Sequence, residues 1–108
     1  MERQIYFAEL PQPLEWGEKR IVPLNIKEEV ETDESGVERK GYRADLVPKV
    51  KQPLTVDNIV DAAIADEFGE EALKRIMRNM AKPDDAEVER YKNFVTEITE
   101  AAKAAGYE

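Results

Sequence analysis

The chain changes its hydrophobic period once, within Pro53-Leu54-Thr55-Val56-Asp57-Asn58-Ile59. Before this stretch apolar and polar residues alternate, the two-residue repeat of strands. After it apolar residues recur at three- and four-residue spacing, the repeat of helices. The junction itself reads as a helix start. Thr55 carries an N-cap side chain, Asn58 stands at the third helical position, and Leu54 and Ile59 fill the two places of a hydrophobic staple. The expected fold class is α+β: an N-terminal antiparallel β-ribbon or small sheet followed by a three-helix C-terminal subdomain. At 108 residues the chain is expected to be a single domain, with a β-rich half over 1–52 and a helical half over 53–108.

In the first half, residues 4–8 read as a short strand ended by Pro11 and Pro13. Trp16-Gly17 falls in a loop, with the lone Trp expected as a core or hairpin plug. Residues 20–32 read as a long strand with Val22, Leu24, Ile26 and Val30 on one face, and Pro23 places that end at an edge or bulge. Asp33-Glu34-Ser35-Gly36 makes a hairpin turn in which Gly36 supplies a positive φ. The return strand spans 37–47, with Tyr42, Ala44 and Leu46 on one face and Arg39, Arg43 and Asp45 on the other. A two-stranded ribbon is not stable alone. Because few apolar residues lie beyond Ile26, the tip is expected to project. Pro48 and Pro53 bracket an extended connector over 49–52.

Three helices are expected in the second half. The first covers 56–67, with Val56, Ile59, Val60, Ala63, Ile64 and Phe68 on one stripe, and Gly69 breaks it. The second covers 70–81, acidic at its start (Glu70, Glu71) and basic later (Lys74, Arg75, Arg78), with Leu73, Ile76, Met77 and Met80 as core-filling residues. Pro83-Asp84-Asp85 caps a third over 85–105. Val88, Tyr91, Val95, Ile98, Ala102 and Ala105 form a heptad seam there, widened by Phe94, and Gly106 is its C-terminal stop. The seam suits packing within the chain or a coiled-coil dimer. Together with a free ribbon edge, it points to a homodimer.

The composition removes most chemistry. There is no His and no Cys, so the commonest general base, thiol catalysis and the usual zinc ligands are missing. The one serine, Ser35, sits among acidic neighbours that disfavour its ionisation. Asp57 with Asp61, and Asp66, Glu67, Glu70 and Glu71 around Gly69, suit a helix dipole better than a hard cation. The glycines form no phosphate-cradling loop. No catalytic residue, cofactor-binding residue, metal ligand or cofactor is assigned, and no enzymatic activity is expected. The formal charge of −8 disfavours nucleic acid and anionic membranes. Residues 1–54 are net −2 and residues 55–108 net −6, so the helical half is the acidic one. With no apolar leader or spanning run, a cytoplasmic location is expected, or a virion-associated one.

The runs Gly41-Tyr42-Arg43-Ala44-Asp45 and Leu54-Thr55-Val56-Asp57-Asn58-Ile59-Val60 point to one family pattern. Ile76-Met77-Arg78-Asn79-Met80-Ala81-Lys82-Pro83-Asp84-Asp85 and Tyr91-Lys92-Asn93-Phe94 fit it too. Over residues 41–96 the chain resembles small uncharacterised phage- and prophage-associated proteins of gut Bacteroidales, in which a β-ribbon precedes a tail of helices. The resemblance implies an accessory structural or assembly role and carries over no site residue. The expected function is therefore a non-enzymatic structural or protein-interaction module whose partner is another protein or a second copy. Its expected contact surfaces are the ribbon tip, Glu31 to Arg39, and the outer face of the third helix. The alternative is an acidic regulatory binder, an inhibitor or DNA mimic, directed at a basic partner.

Overall fold

A computed structural model describes residues 1–82 and 84–108. Four antiparallel strands form one sheet: β1 (Glu2–Phe7), β2 (Leu14–Trp16), β3 (Lys19–Thr32) and β4 (Glu38–Val50), in the spatial order β1-β4-β3-β2. Three helices follow: α1 (Val56–Glu67), α2 (Glu70–Arg78) and α3 (Ala86–Ala104). The α+β expectation holds, with two helices shorter than their stripes. Asp85 caps α3, its side chain accepting from the Val88 N–H at 3.0 Å, while Pro83 lies outside the described residues.

The start of α1 has the expected local chemistry. Thr55 Oγ1 accepts from the Asn58 N–H at 3.2 Å, and Asn58 Nδ2 donates back to the Pro53 carbonyl at 2.8 Å. The end of α3 is a Schellman motif. Gly106, at φ 94°, donates to Lys103 O, and the Tyr107 N–H reaches Ala102 O. Glu108 then folds back, its carbonyl accepting from the Val56 N–H at 3.1 Å.

The helices cover one face of the sheet at its base. Val22, Leu24, Val47 and Val50 meet Val56, Ile59, Ala63, Ile76, Phe94 and Ile98 in one core. Phe68, just past α1, closes it with edge-on contacts to Tyr91 and Phe94 at 5.7 and 5.5 Å. The α3 seam is consumed in this packing. Its buried residues are Val88, Phe94, Ile98, Ala101 and Ala102, so Phe94 is a core residue while Ala105 is exposed. Met77, expected in the core, is 54% exposed because only Ile76 of α2 is fully buried.

Three corrections concern the sheet. Trp16 is no plug: it lies in β2, 54% exposed, beside the tight turn at Gly17 (φ 63°). The connector begins later than expected, since Pro48, Lys49 and Val50 belong to β4. Finally, Val22, Leu24, Ile26 and Val30 do not share a face. A bulge between Leu24 and Lys27 inserts one residue into β3, with Asn25 at φ 53°, and reverses the alternation beyond it. Val22 and Leu24 face the helices, whereas Ile26 and Val30 lie on the other side.

That other side is crossed by the chain between β1 and β2, which sit on opposite edges. Three inter-strand spacings amount to about 14 Å, and the offset along the strands from the level of Tyr42 to that of Ile21 adds about 20 Å. The diagonal of about 25 Å matches the reach of the seven steps from Phe7 to Leu14 when extended. Residues 8–13 therefore run nearly straight over the face away from the helices, where Pro11, Pro23 and Ala44 are buried.

Candidate interaction surface

Beyond the helices, β3 and β4 continue as a bare ribbon. β1 reaches only to Tyr42 and β2 only to Ile21, so the pairs from Glu29–Gly41 out to Thr32–Glu38 have no strand on either side. The molecule measures 57 × 33 × 23 Å, and its radius of gyration of 16.6 Å exceeds the roughly 13 Å of a compact chain of this length. The excess is the projecting ribbon.

Charge pairs across the strands hold the ribbon. Arg43 Nε meets both carboxylate oxygens of Glu29 at 3.0 and 3.1 Å, and Lys40 Nζ lies 3.5 Å from Glu28. The Tyr6 ring lies over Gly41, and the Arg43 guanidinium sits 5.7 Å from the ring centre. A β-carbon at position 41 would clash with the Tyr6 ring and its hydroxyl, which explains why glycine stands there. The tip is ordered by one side chain. Asp33 Oδ1 accepts from the Ser35 N–H, the Ser35 hydroxyl and the Val37 N–H at 2.9, 2.7 and 3.0 Å. These bonds, the Ser35 hydroxyl first, hold the Asp33 carboxyl below the usual carboxylate range. Ser35 thus serves the turn.

Where the ribbon leaves the body, a buried carboxylate fixes its direction. Asp45, on β4, is 3% exposed. It accepts from the Gln4 N–H at 3.0 Å and from Asn25 Nδ2 at 2.9 Å, and lies 3.5 Å from Arg3 Nη1. Gln4 and Asn25 are the left-handed residues of the bulges in β1 and β3, at φ 56° and 53°. One carboxylate on the central strand therefore pins both neighbouring irregularities. Arg3 also donates to Glu97 of α3 at 2.7 Å, tying the sheet to the helices, and this bond raises its guanidinium pKa.

The opposite end of the sheet has another character. A third bulge, between the pairs Arg20–Val50 and Val22–Val47, holds Lys49 at φ 58°. Lys19, Pro48, Lys49 and Lys51 form one wall of a cleft of about 380 Å³, and Asn58, Asp61 and Asp66 of α1 line the other. The Lys49 ammonium sits 5.8 Å from the centre of the exposed Trp16 ring.

The acidic residues expected at helix starts do not converge. Asp66 pairs with the Met1 ammonium, Glu67 with Arg90 at 3.0 Å, and Glu70 with Lys74 at 3.6 Å. Among the described residues no group of three potential ligands is placed to hold a metal, and no helix is long and apolar enough to cross a membrane. Asp45 is the one charged residue buried among them. The outer face of α3 is polar, and its Glu87 and Glu97 are engaged by Arg75 and Arg3. Sequence reasoning marked the ribbon tip but missed Asp45 and the lysine cleft. Lys19 is distant in the chain from Lys49 and Lys51 and meets them only because the start of β3 pairs with the end of β4. Comparison of the chain with family models, curated proteins and solved structures returns no match.

Proposed function

We propose that the chain is a non-enzymatic protein-interaction module that engages its partner through the projecting ribbon. Its resemblance to phage-associated proteins suggests an accessory or assembly role. The ribbon itself carries this reading: a two-stranded arm with both edges free, held out by the Asp45 network and ordered at its tip by Asp33. Free strand edges are ready templates for another chain. The acidic helical half also suits an inhibitor or DNA mimic. However, Glu67, Glu70 and Glu87 are neutralised within the chain by Arg90, Lys74 and Arg75, which interrupts a phosphate-like stripe.

The test is capture of partners from the native host by the intact chain and by a chain in which Glu31 to Arg39 is replaced with a two-residue turn. The core lies at the sheet base, so the shortened chain is expected to fold and to lose the partner. Retention of the same partner at unchanged affinity would overturn the proposal.

A further inference from the structure

The acidic tip of the ribbon and a group of lysines at the sheet base stand far apart along the β3–β4 pair. Arg20 and Thr32 lie on one strand, about 40 Å apart at the usual rise per residue. At the tip, Glu31, Asp33, Glu34 and Glu38 stand against Arg39 alone, which lies 3.8 Å from Asp33. At the base, Lys19, Lys49 and Lys51 line one wall of the cleft. None of these three lysines, and none of Glu31, Glu34 and Glu38, lies within ion-pair distance of an opposite charge among the described residues. Acidic residues outnumber basic ones 24 to 16, so lysines gathered yet unpaired in one cleft are available to an outside carboxylate.

From these observations, and resting on the ribbon reading above, we infer that the tip's occupant is a second copy of this chain. The acidic tip of one copy docks head to tail in the lysine-lined cleft of the next. The cleft is at the small end of ligand pockets, which suits the side chains of a tight turn better than a helix. The Asp33 bonds preorder the tip, so little conformational freedom is lost on docking. The exposed Trp16 ring and Val37, both 54% exposed, supply apolar area beside the charges at base and tip respectively. Asp61 and Asp66 on the far wall bias the tip carboxylates toward the lysine side, and Asp66 is already paired with the Met1 ammonium. The contact uses different surfaces on the two copies. It therefore propagates into a chain or ring of molecules and does not end at a two-fold dimer. Its charges are exposed, so added salt weakens it.

The experiment is analytical ultracentrifugation of the intact protein over a wide concentration range at low and high salt, with two charge-reversed variants. One carries Glu31→Lys and Glu34→Lys at the tip, the other Lys49→Glu and Lys51→Glu at the base. All four positions are exposed, and circular dichroism checks that both variants fold. The wild type is expected to grow in mass with concentration and to dissociate in salt. Each variant alone is expected to associate at least about tenfold more weakly. Their equimolar mixture, in which a lysine tip meets a glutamate cleft and the reverse, is expected to assemble again. A wild type that stays monomeric at low salt, variants that associate undiminished, or a mixture that fails to assemble would each overturn the head-to-tail contact. Loss of a foreign partner on shortening the ribbon, with the wild type monomeric throughout, overturns this contact alone and leaves the ribbon reading standing.

Discussion

The base of the β3–β4 pair and its outer ribbon are built from the same two strands but held by different forces. At the base, Val22, Leu24 and Val47 are wholly buried against α1 and α3, and the buried apolar area dominates. In the ribbon, Val30 is 53% exposed and every residue from 34 to 40 is exposed, so cross-strand pairs worth about 0.2–1 kcal/mol each do most of the holding. Between the two stands Asp45, where the alternation of β3 reverses. Folding stability belongs to the base, and the ribbon is free to carry recognition without endangering it.

This contrast is sharpest in the core. Ile59→Ala removes a fully buried side chain and is expected to cost about 3–4 kcal/mol in chemical denaturation. A cost as small as that of a surface change would mean that the helices are not anchored on the sheet as described. Asp45→Ala is expected to cost about 3 kcal/mol, because the Gln4 N–H and Asn25 Nδ2 lose their acceptor. It should also broaden the amide resonances of Lys27 to Tyr42, since the ribbon loses its anchor. Sharp, unmoved ribbon signals would deny Asp45 that role. Thr55→Ala, at the junction of the two halves, should destabilise by about 1 kcal/mol through the lost cap.

In the ribbon, Val30→Ala should change stability by less than about 0.5 kcal/mol. A larger loss would show that the ribbon is packed against something. The smallest effect concerns pH. The Asp33 carboxyl has a lowered pKa in the folded chain, so its stabilisation of the tip is present above the unfolded carboxylate range. It is lost as pH falls through the lowered value. An NMR titration should place the Asp33 midpoint below that of an ordinary aspartate, and Ser35→Ala should move it back up. An ordinary midpoint in the wild type would remove the ordering attributed to these bonds.

What the sequence discloses follows the same division. Thr55, Asp85 and Gly106 act through their immediate neighbours, so the helix ends are legible from residue type alone. The turn at Asp33 to Gly36 is legible for the same reason. The three bulges are not, because Gln4, Asn25 and Lys49 adopt positive φ without being glycine, and only the pairing of distant strands imposes it. Missing the one at Asn25 put Ile26 and Val30 on the wrong face. β2 escaped notice because three residues are too few to show a period. Asp45 reads as an exposed strand carboxylate until Gln4, 41 residues earlier, is brought beside it. The lysine cleft likewise exists only in the folded chain.

The strap over the back of the sheet bears on the order in which the protein is made. β1 is made before its partner on β4, which follows about 40 residues later, and residues 8–13 join two edges of a sheet whose middle is the β3–β4 pair. At roughly 5–20 residues per second, Gln4 waits about two to eight seconds for Asp45. Glu2, Arg3 and Gln4, three polar residues at the head of that strand, keep it solvated during the delay. Of the four strands, the one made earliest waits for the one made last.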